Sequence, residues 1–140
     1  MDALNLHSTT VSLAGRAVLI TGASGTGKSA LGLTLLAWGC DLVADDRTEV
    51  VRDGAMLLAR CPAAIGGLIE ARGVGLLRAR SVPEARIVLA VDMDVTETER
   101  MPPLRHRRWL DCDIPLLHKV ESRYFAAAIL QYLKAGERLP

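Results

Sequence analysis

The chain has 140 residues, half of them hydrophobic, and a formal net charge of +1. This is enough for a single domain spanning 1–140 with one ordered core, and it argues against global disorder. So small a charge gives no global attraction to nucleic acid or to a membrane surface, and aromatic residues at 4% are too sparse for a base-stacking platform.

No apolar run approaches the ~20 residues needed to cross a bilayer. The opening "MDALNLHSTT" is too polar for a signal peptide and places Asp2 where a basic segment would stand. Cys40, Cys61 and Cys112 are scattered, odd in number and without metal-ligand spacing. They read as reduced thiols of a cytoplasmic protein.

In chain order, "STTVSLAGRAVLIT" predicts a β-hairpin turning at Ala14-Gly15, its second strand buried. A glycine-rich loop follows over 22–27. A helix is predicted over 29–38, with Leu31, Leu35 and Trp38 on one face and Gly39 as its stop. "LVADD" reads as a short buried strand ending in two acids. "TEVVRDGAMLLAR" predicts a second hairpin, with a type I′ turn at Asp53-Gly54. "GGLIEARGVGLL" suits strand and tight turn better than helix, and "ARIVLAVDMD" is another buried strand ending in acids. Pro102 and Pro103 break the chain before the basic stretch "RHRRW", which reads as a solvated face or as a contact for an acidic partner. A last helix is predicted over 124–133, with Phe125, Ile129, Leu130 and Leu133 on its apolar face. A purely parallel doubly wound sheet would alternate strand and helix throughout, whereas most segments here after the first helix are strands. The expected fold class is therefore α/β with a mixed sheet and antiparallel hairpins.

The segment "GASGTGKS" fits the phosphate-loop pattern G-x-x-x-x-G-K-[ST], with a strand before it and a helix after it. Its residues are Gly22, Ala23, Ser24, Gly25, Thr26, Gly27, Lys28 and Ser29. Glycines let the backbone approach closely, and successive N–H groups at a helix N-terminus form an anion cradle. In such a loop Lys28 reaches the β- and γ-phosphates of a nucleotide and the Ser29 hydroxyl binds Mg²⁺. An acid at a second strand end usually completes the site. Asp45-Asp46 and Asp92/Asp94 compete for that place. Two adjacent acids soon after the loop's own helix favour Asp45-Asp46, one to serve magnesium and the other to accept a proton from a hydroxyl. If Leu13 faces Arg16 across the first turn, antiparallel pairing puts His7 opposite Gly22, beside the loop; a slip of one residue would turn it away. Glu70 and Arg72 stand among apolar residues and glycines, and read either as surface charges in a salt bridge or as buried charges that need a metal, a phosphate or each other.

These pieces together resemble the catalytic domain of the HPr kinase/phosphorylase family, over about the first two-thirds of the chain. The resemblance rests on "LHSTTVSLAGRAVLITGASGTGKS", on "LVADDRTEV" and on the signature form L-I-E-x-R-G-x-G at "LIEARGVG". It implies a P-loop nucleotide-binding domain similar to that of phosphoenolpyruvate carboxykinase. It implies ATP on residues 22–29, Mg²⁺ on Ser29 and Glu70, Asp46 as proton acceptor and His7 as an active-site residue. Arg100 is the nearest match to a further family arginine. The implied activity is phosphorylation of a serine of the carrier protein HPr of the phosphotransferase system, and long members of the family form hexamers. The sequence departs from the pattern at Ala23 and Ala30, where acids are usual. "HKVESRYFAAA" stands where the family has a proline- and arginine-rich loop tied to dephosphorylation. A kinase with weak or absent phosphorolysis is the expectation. A small-molecule kinase on the same scaffold, and a nucleotide-dependent scaffold protein with little turnover, remain as alternatives.

Overall fold

The first hairpin sets the frame. Strand β1 (Ala3–Leu13) turns through Ala14-Gly15 into β2 (Arg16–Thr21), with Leu13 paired to Arg16 and Ser8 to Thr21. Both turn residues have positive φ, 52° and 81°. The computed structural model describes residues 2–62 and 66–136. Helix α1 (Lys28–Ala37) follows the glycine-rich loop, and β3 (Asp41–Ala44) returns antiparallel to β1. Strands β4 (Arg47–Asp53) and β5 (Met56–Arg60) form the second hairpin, and β6 (Leu68–Ala71) with β7 (Gly75–Arg78) forms a separate two-stranded sheet. The long β8 (Glu84–Thr96) is followed by β9 (Arg105–Trp109), β10 (Cys112–Lys119) and α2 (Phe125–Ala135).

The main sheet has eight strands and is mixed, as expected. β1 pairs with β2 and β4, β4 with β5, β5 with β8, and β8 in parallel with β2, so the ladders close into a ring. β2 is buried on both faces, which explains its unbroken apolar run Ala17-Val18-Leu19-Ile20. Val18 and Ile20 face a core shared with Leu31 and Leu35 of α1 and Ile129 and Leu133 of α2. Ala17 and Leu19 face a second core with Val50, Leu57, Ile87 and Trp109. Burying each large side chain in these cores contributes roughly 1.5–3 kcal/mol.

Several expectations need correction. Trp38 does not join the apolar face of α1. The helix ends one residue earlier, and Trp38 sits at its C-cap, 48% exposed. The second hairpin turns at Gly54-Ala55, because Asp53 pairs with Met56. Gly54 has φ +60° and Ala55 is not in the positive region, so the turn has the φ pattern of type II′ rather than I′. The stretch "RHRRW" is strand β9, hairpin partner of β10, through a turn in which Leu110 and Asp111 carry φ of 49° and 61°. No glycine or asparagine marks that turn. Pro115 further disguises β10, but the pairing with β8 begins only at Leu116.

Cys40 closes α1 into β3 and is 3% exposed, and burial, reinforced by the neighbouring Asp41 charge, pushes its thiol up from 9.0 to about 11. The unfolded chain therefore releases this proton first. Between those two pH values stability falls as pH rises, at a slope of up to roughly 1.4 kcal/mol per pH unit. Urea unfolding across this range is expected to show the fall in the parent chain and a shallower one in Cys40→Ala. In the folded protein at pH 8, Cys40 is expected to resist alkylation by iodoacetamide.

Candidate active site

Strands β2, β3 and β8 run parallel to one another, and β10 runs parallel to β8, so their carboxyl ends lie along one edge of the sheet. That edge is where α/β folds place their ligands. It brings together Thr21 and the loop 22–27, Asp45 and Asp46, Asp92 and Asp94, and Lys119.

The loop is bound back onto itself and onto its neighbours. Thr26 Oγ1 and Lys28 Nζ both donate to the Ala23 carbonyl, at 2.7 and 3.1 Å. Ala23 N–H donates to Asp94 Oδ1 at 2.9 Å, and Lys119 Nζ donates to the Thr26 carbonyl at 3.3 Å. Gly27 caps α1 at φ +98°, and Lys28, first in the helix, is only 7% exposed. Ser24 and Gly25 form the exposed tip. The first amides of α1 have no acceptor within the helix, and Lys28 lies beside them, tied to the loop at Ala23.

The paired acids divide. The half-buried Asp45 carboxylate accepts from Thr9 Oγ1 at 2.9 Å and from Ser29 Oγ at 3.0 Å on one oxygen, and from the Glu70 N–H at 3.3 Å on the other. Asp46 turns outward at φ +71°, its side chain 77% exposed, and its Oδ1 lies 3.1 Å from His7 Nε2. An ionised carboxylate only accepts, so His7 donates through Nε2–H. His7 reaches this place by the register read from the sequence, since the ladder from Leu13–Arg16 to Ser8–Thr21 puts it next in line with Gly22.

Glu70 lies on β6, beside Asp45, but its side chain is exposed, as is that of Arg72; neither is the buried charge that the apolar context suggested. Asp92 stands opposite Thr21, and its Oδ1 accepts from Asp94 N–H at 2.8 Å. Arg100 is exposed in the loop 97–104 and forms no hydrogen bond or ion pair among the described residues, so the structure does not join it to the site. Thr9 and Lys119 were not foreseen as parts of this cluster. The hairpin register carried a signal for Thr9, two residues from His7 on the same face. Lys119 had none without β10.

The Asp45 carboxylate and the Ser29 hydroxyl on it are hard oxygen ligands of the kind Mg²⁺ takes. Among the described residues no group of three or more His, Cys, Asp or Glu side chains is arranged to hold a metal by itself, so an ion here would need ligands from a bound phosphate as well.

Gly22 is required by both conformation and space. Its φ is +146°, and a Cβ there would lie 2.7 Å from Thr26 Oγ1 and 2.9 Å from Met93 Cβ. Gly22→Ala is expected to destabilise the chain by roughly 1–3 kcal/mol, read as a lower urea midpoint, whereas Gly25→Ala, with open space around it, should cost less.

Comparison with known proteins agrees with this fold. The HPr serine kinase C-terminal domain matches residues 2–96. A HPr kinase/phosphorylase of Burkholderia lata is 45% identical over 78 residues, covering 55% of this chain and 24% of that protein. One from Polaromonas is 40% identical over 82 residues, covering 58% of this chain and 26% of that protein. The chain thus matches about a quarter of the length of these curated relatives. The solved structure of the Hpr(Ser) kinase/phosphatase from Coxiella burnetii superposes with a TM-score of 0.78 at 22% identity, over 95% of this chain and 90% of that one, and so shares the fold. With the family match running from β1 to the end of β8, through every element that carries the loop and the acids, the chain belongs to the HPr serine kinase C-terminal domain family.

Proposed function

We propose that this chain is the catalytic domain of a cytoplasmic, ATP- and Mg²⁺-dependent protein serine kinase whose acceptor is an HPr-like carrier protein. The observation that carries the reading is the division of the acid pair: Asp45 is tied to Ser29 and Glu70, Asp46 to His7. Family membership and the names of the relatives support the same assignment.

In this reading the loop amides and Lys28 hold the nucleotide's phosphates. Ser29, Asp45 and Glu70 would hold Mg²⁺, which when bound offsets charge on the β- and γ-phosphates. Asp46 takes the proton of the acceptor serine hydroxyl as that oxygen bonds the γ-phosphorus and ADP leaves. His7, donating to Asp46 Oδ1, directs the carboxylate's other oxygen to the acceptor. An acceptor presented on a protein surface suits the exposure of Asp46, 77%. The reverse reaction must hold inorganic phosphate against phosphoserine, and basic donors must offset that repulsion. Near the loop stand Lys119 and, further on, Arg123, with Glu121 between them. This supports weak or absent phosphorolysis.

The test uses γ-labelled ATP, Mg²⁺ and purified HPr, with a second HPr whose phosphorylated serine is replaced. Label on the first alone is expected; label on neither removes the reading. Asp46→Asn should lower turnover by about 10²-fold or more with ATP affinity retained, while Asp92→Asn should leave turnover largely intact. Lys28→Ala should lose ATP binding. Supplied with phosphorylated HPr, Mg²⁺ and inorganic phosphate, the enzyme should release pyrophosphate far more slowly than it phosphorylates HPr. Comparable rates would sink the one-directional reading.

A further inference from the structure

Thr9 is fully buried, yet its hydroxyl reaches the site, donating to Asp45 Oδ1 at 2.9 Å. The other donor to that oxygen is Ser29. In the functional reading above Ser29 also offers its lone pairs to the metal ion, so its hydroxyl serves two partners at once. Thr9 has no such second use, since its position in β1 faces away from solvent.

What fixes Thr9 lies on the opposite side. Gly32, in the middle of α1, has an ordinary helical backbone, so conformation does not require a glycine there. Space does: a Cβ at Gly32 would lie 2.7 Å from Thr9 Cγ2, with Ile69 and Val11 methyl groups at 3.8 Å. The helix backbone therefore presses on the Thr9 methyl. With its methyl packed against Gly32, the stiff β-branched side chain directs its hydroxyl at Asp45.

We propose that Thr9, packed against Gly32, is the positioning residue that holds the Asp45 carboxylate in place for the metal ion. This rests on the functional reading above, in which Asp45 serves the metal side of the site. Thr9 touches neither nucleotide nor acceptor; it acts through Asp45.

The prediction is a pattern across four proteins. Thr9→Val keeps shape and methyl but loses the donor, and it should weaken Mn²⁺ binding in the presence of ATP by about tenfold. Thr9→Ser keeps the donor and should stay within about twofold of the parent. Gly32→Ala pushes on the Thr9 methyl and should behave like Thr9→Val. Gly32→Ala combined with Thr9→Ser removes the methyl that the new Cβ would meet, and should recover binding. Mn²⁺ affinity is read by electron paramagnetic resonance and folding by urea midpoints. Crystal structures of Thr9→Val and Thr9→Ser show whether Asp45 stays within hydrogen-bond distance of Ser29. Asp45 displaced in Thr9→Val and retained in Thr9→Ser supports the proposal. Asp45 in place in Thr9→Val, or metal affinity unchanged there, overturns it. If Thr9→Val fails to fold, the recovery of the Gly32→Ala defect by Thr9→Ser decides, and no recovery overturns the proposal. A parent chain that binds no Mn²⁺ with ATP removes the kinase reading instead, and the displacement of Asp45 in the crystals still decides the role of Thr9.

Discussion

One carboxylate joins three separately folded parts of this molecule. Asp45 receives a hydroxyl from β1, a hydroxyl from the first turn of α1 and a backbone N–H from β6. A half-buried anion with so many donors is held far more firmly than an exposed one, because hydrogen bonds to a charged acceptor strengthen as water is excluded. The adjacent Asp46 shares the same strand end but has one side-chain partner and faces solvent. The positive φ of Asp46 is what separates the two side chains. A single backbone kink thus makes a fixed acid and an accessible acid from two identical neighbours.

The arrangement depends on the sheet more than on any loop. Because β2, β3, β8 and β10 all deliver their carboxyl ends to one edge, groups far apart in sequence arrive together without long connecting segments. The antiparallel β1 is what permits this. It pairs with β2 on one side and with β3 and β4 on the other, so it threads between strands that run the opposite way. Its own amino-terminal half then carries His7 and Thr9 to the same edge.

Much of this was legible in the residues. Ala14-Gly15 and the alternation around Val11 and Leu13 fixed a register that carried His7 to the loop, and the structure keeps that register. The glycine spacing of 22–27 marked the loop, and the unbroken apolar runs marked β2, β3 and β8 as buried. Which of Asp45 and Asp46 turns inward was not legible from the residues themselves, because it follows from one dihedral angle, and only the family resemblance singled out Asp46. The β9–β10 hairpin was hidden by a turn of Leu110 and Asp111 and by Pro115, residues whose local preferences point elsewhere and which pairing with β8 overrides. Without β10, Lys119 had no address. Glu70 and Arg72 could be read as surface or buried charges, and the structure exposes both, with Ile69 and Ala71 buried beside them and Val74, Leu76 and Leu77 exposed.

The closed ring of strands has a consequence for the order in which the molecule can be made. The β1–β2 and β4–β5 hairpins need only local contacts and can form as soon as their residues exist. The pairing of β2 with β8, which Thr21 Oγ1 and the Val91 carbonyl span, joins positions 70 residues apart. Such distant closure is slow, since chain entropy is lost before the contacts compensate. Until β8 arrives, Ala23 lacks its Asp94 acceptor, Gly22 lacks the Met93 wall beside it, and β2 has one side unpaired. The glycine-rich loop, though it directly follows β2, therefore takes its final shape only after β8 has been made.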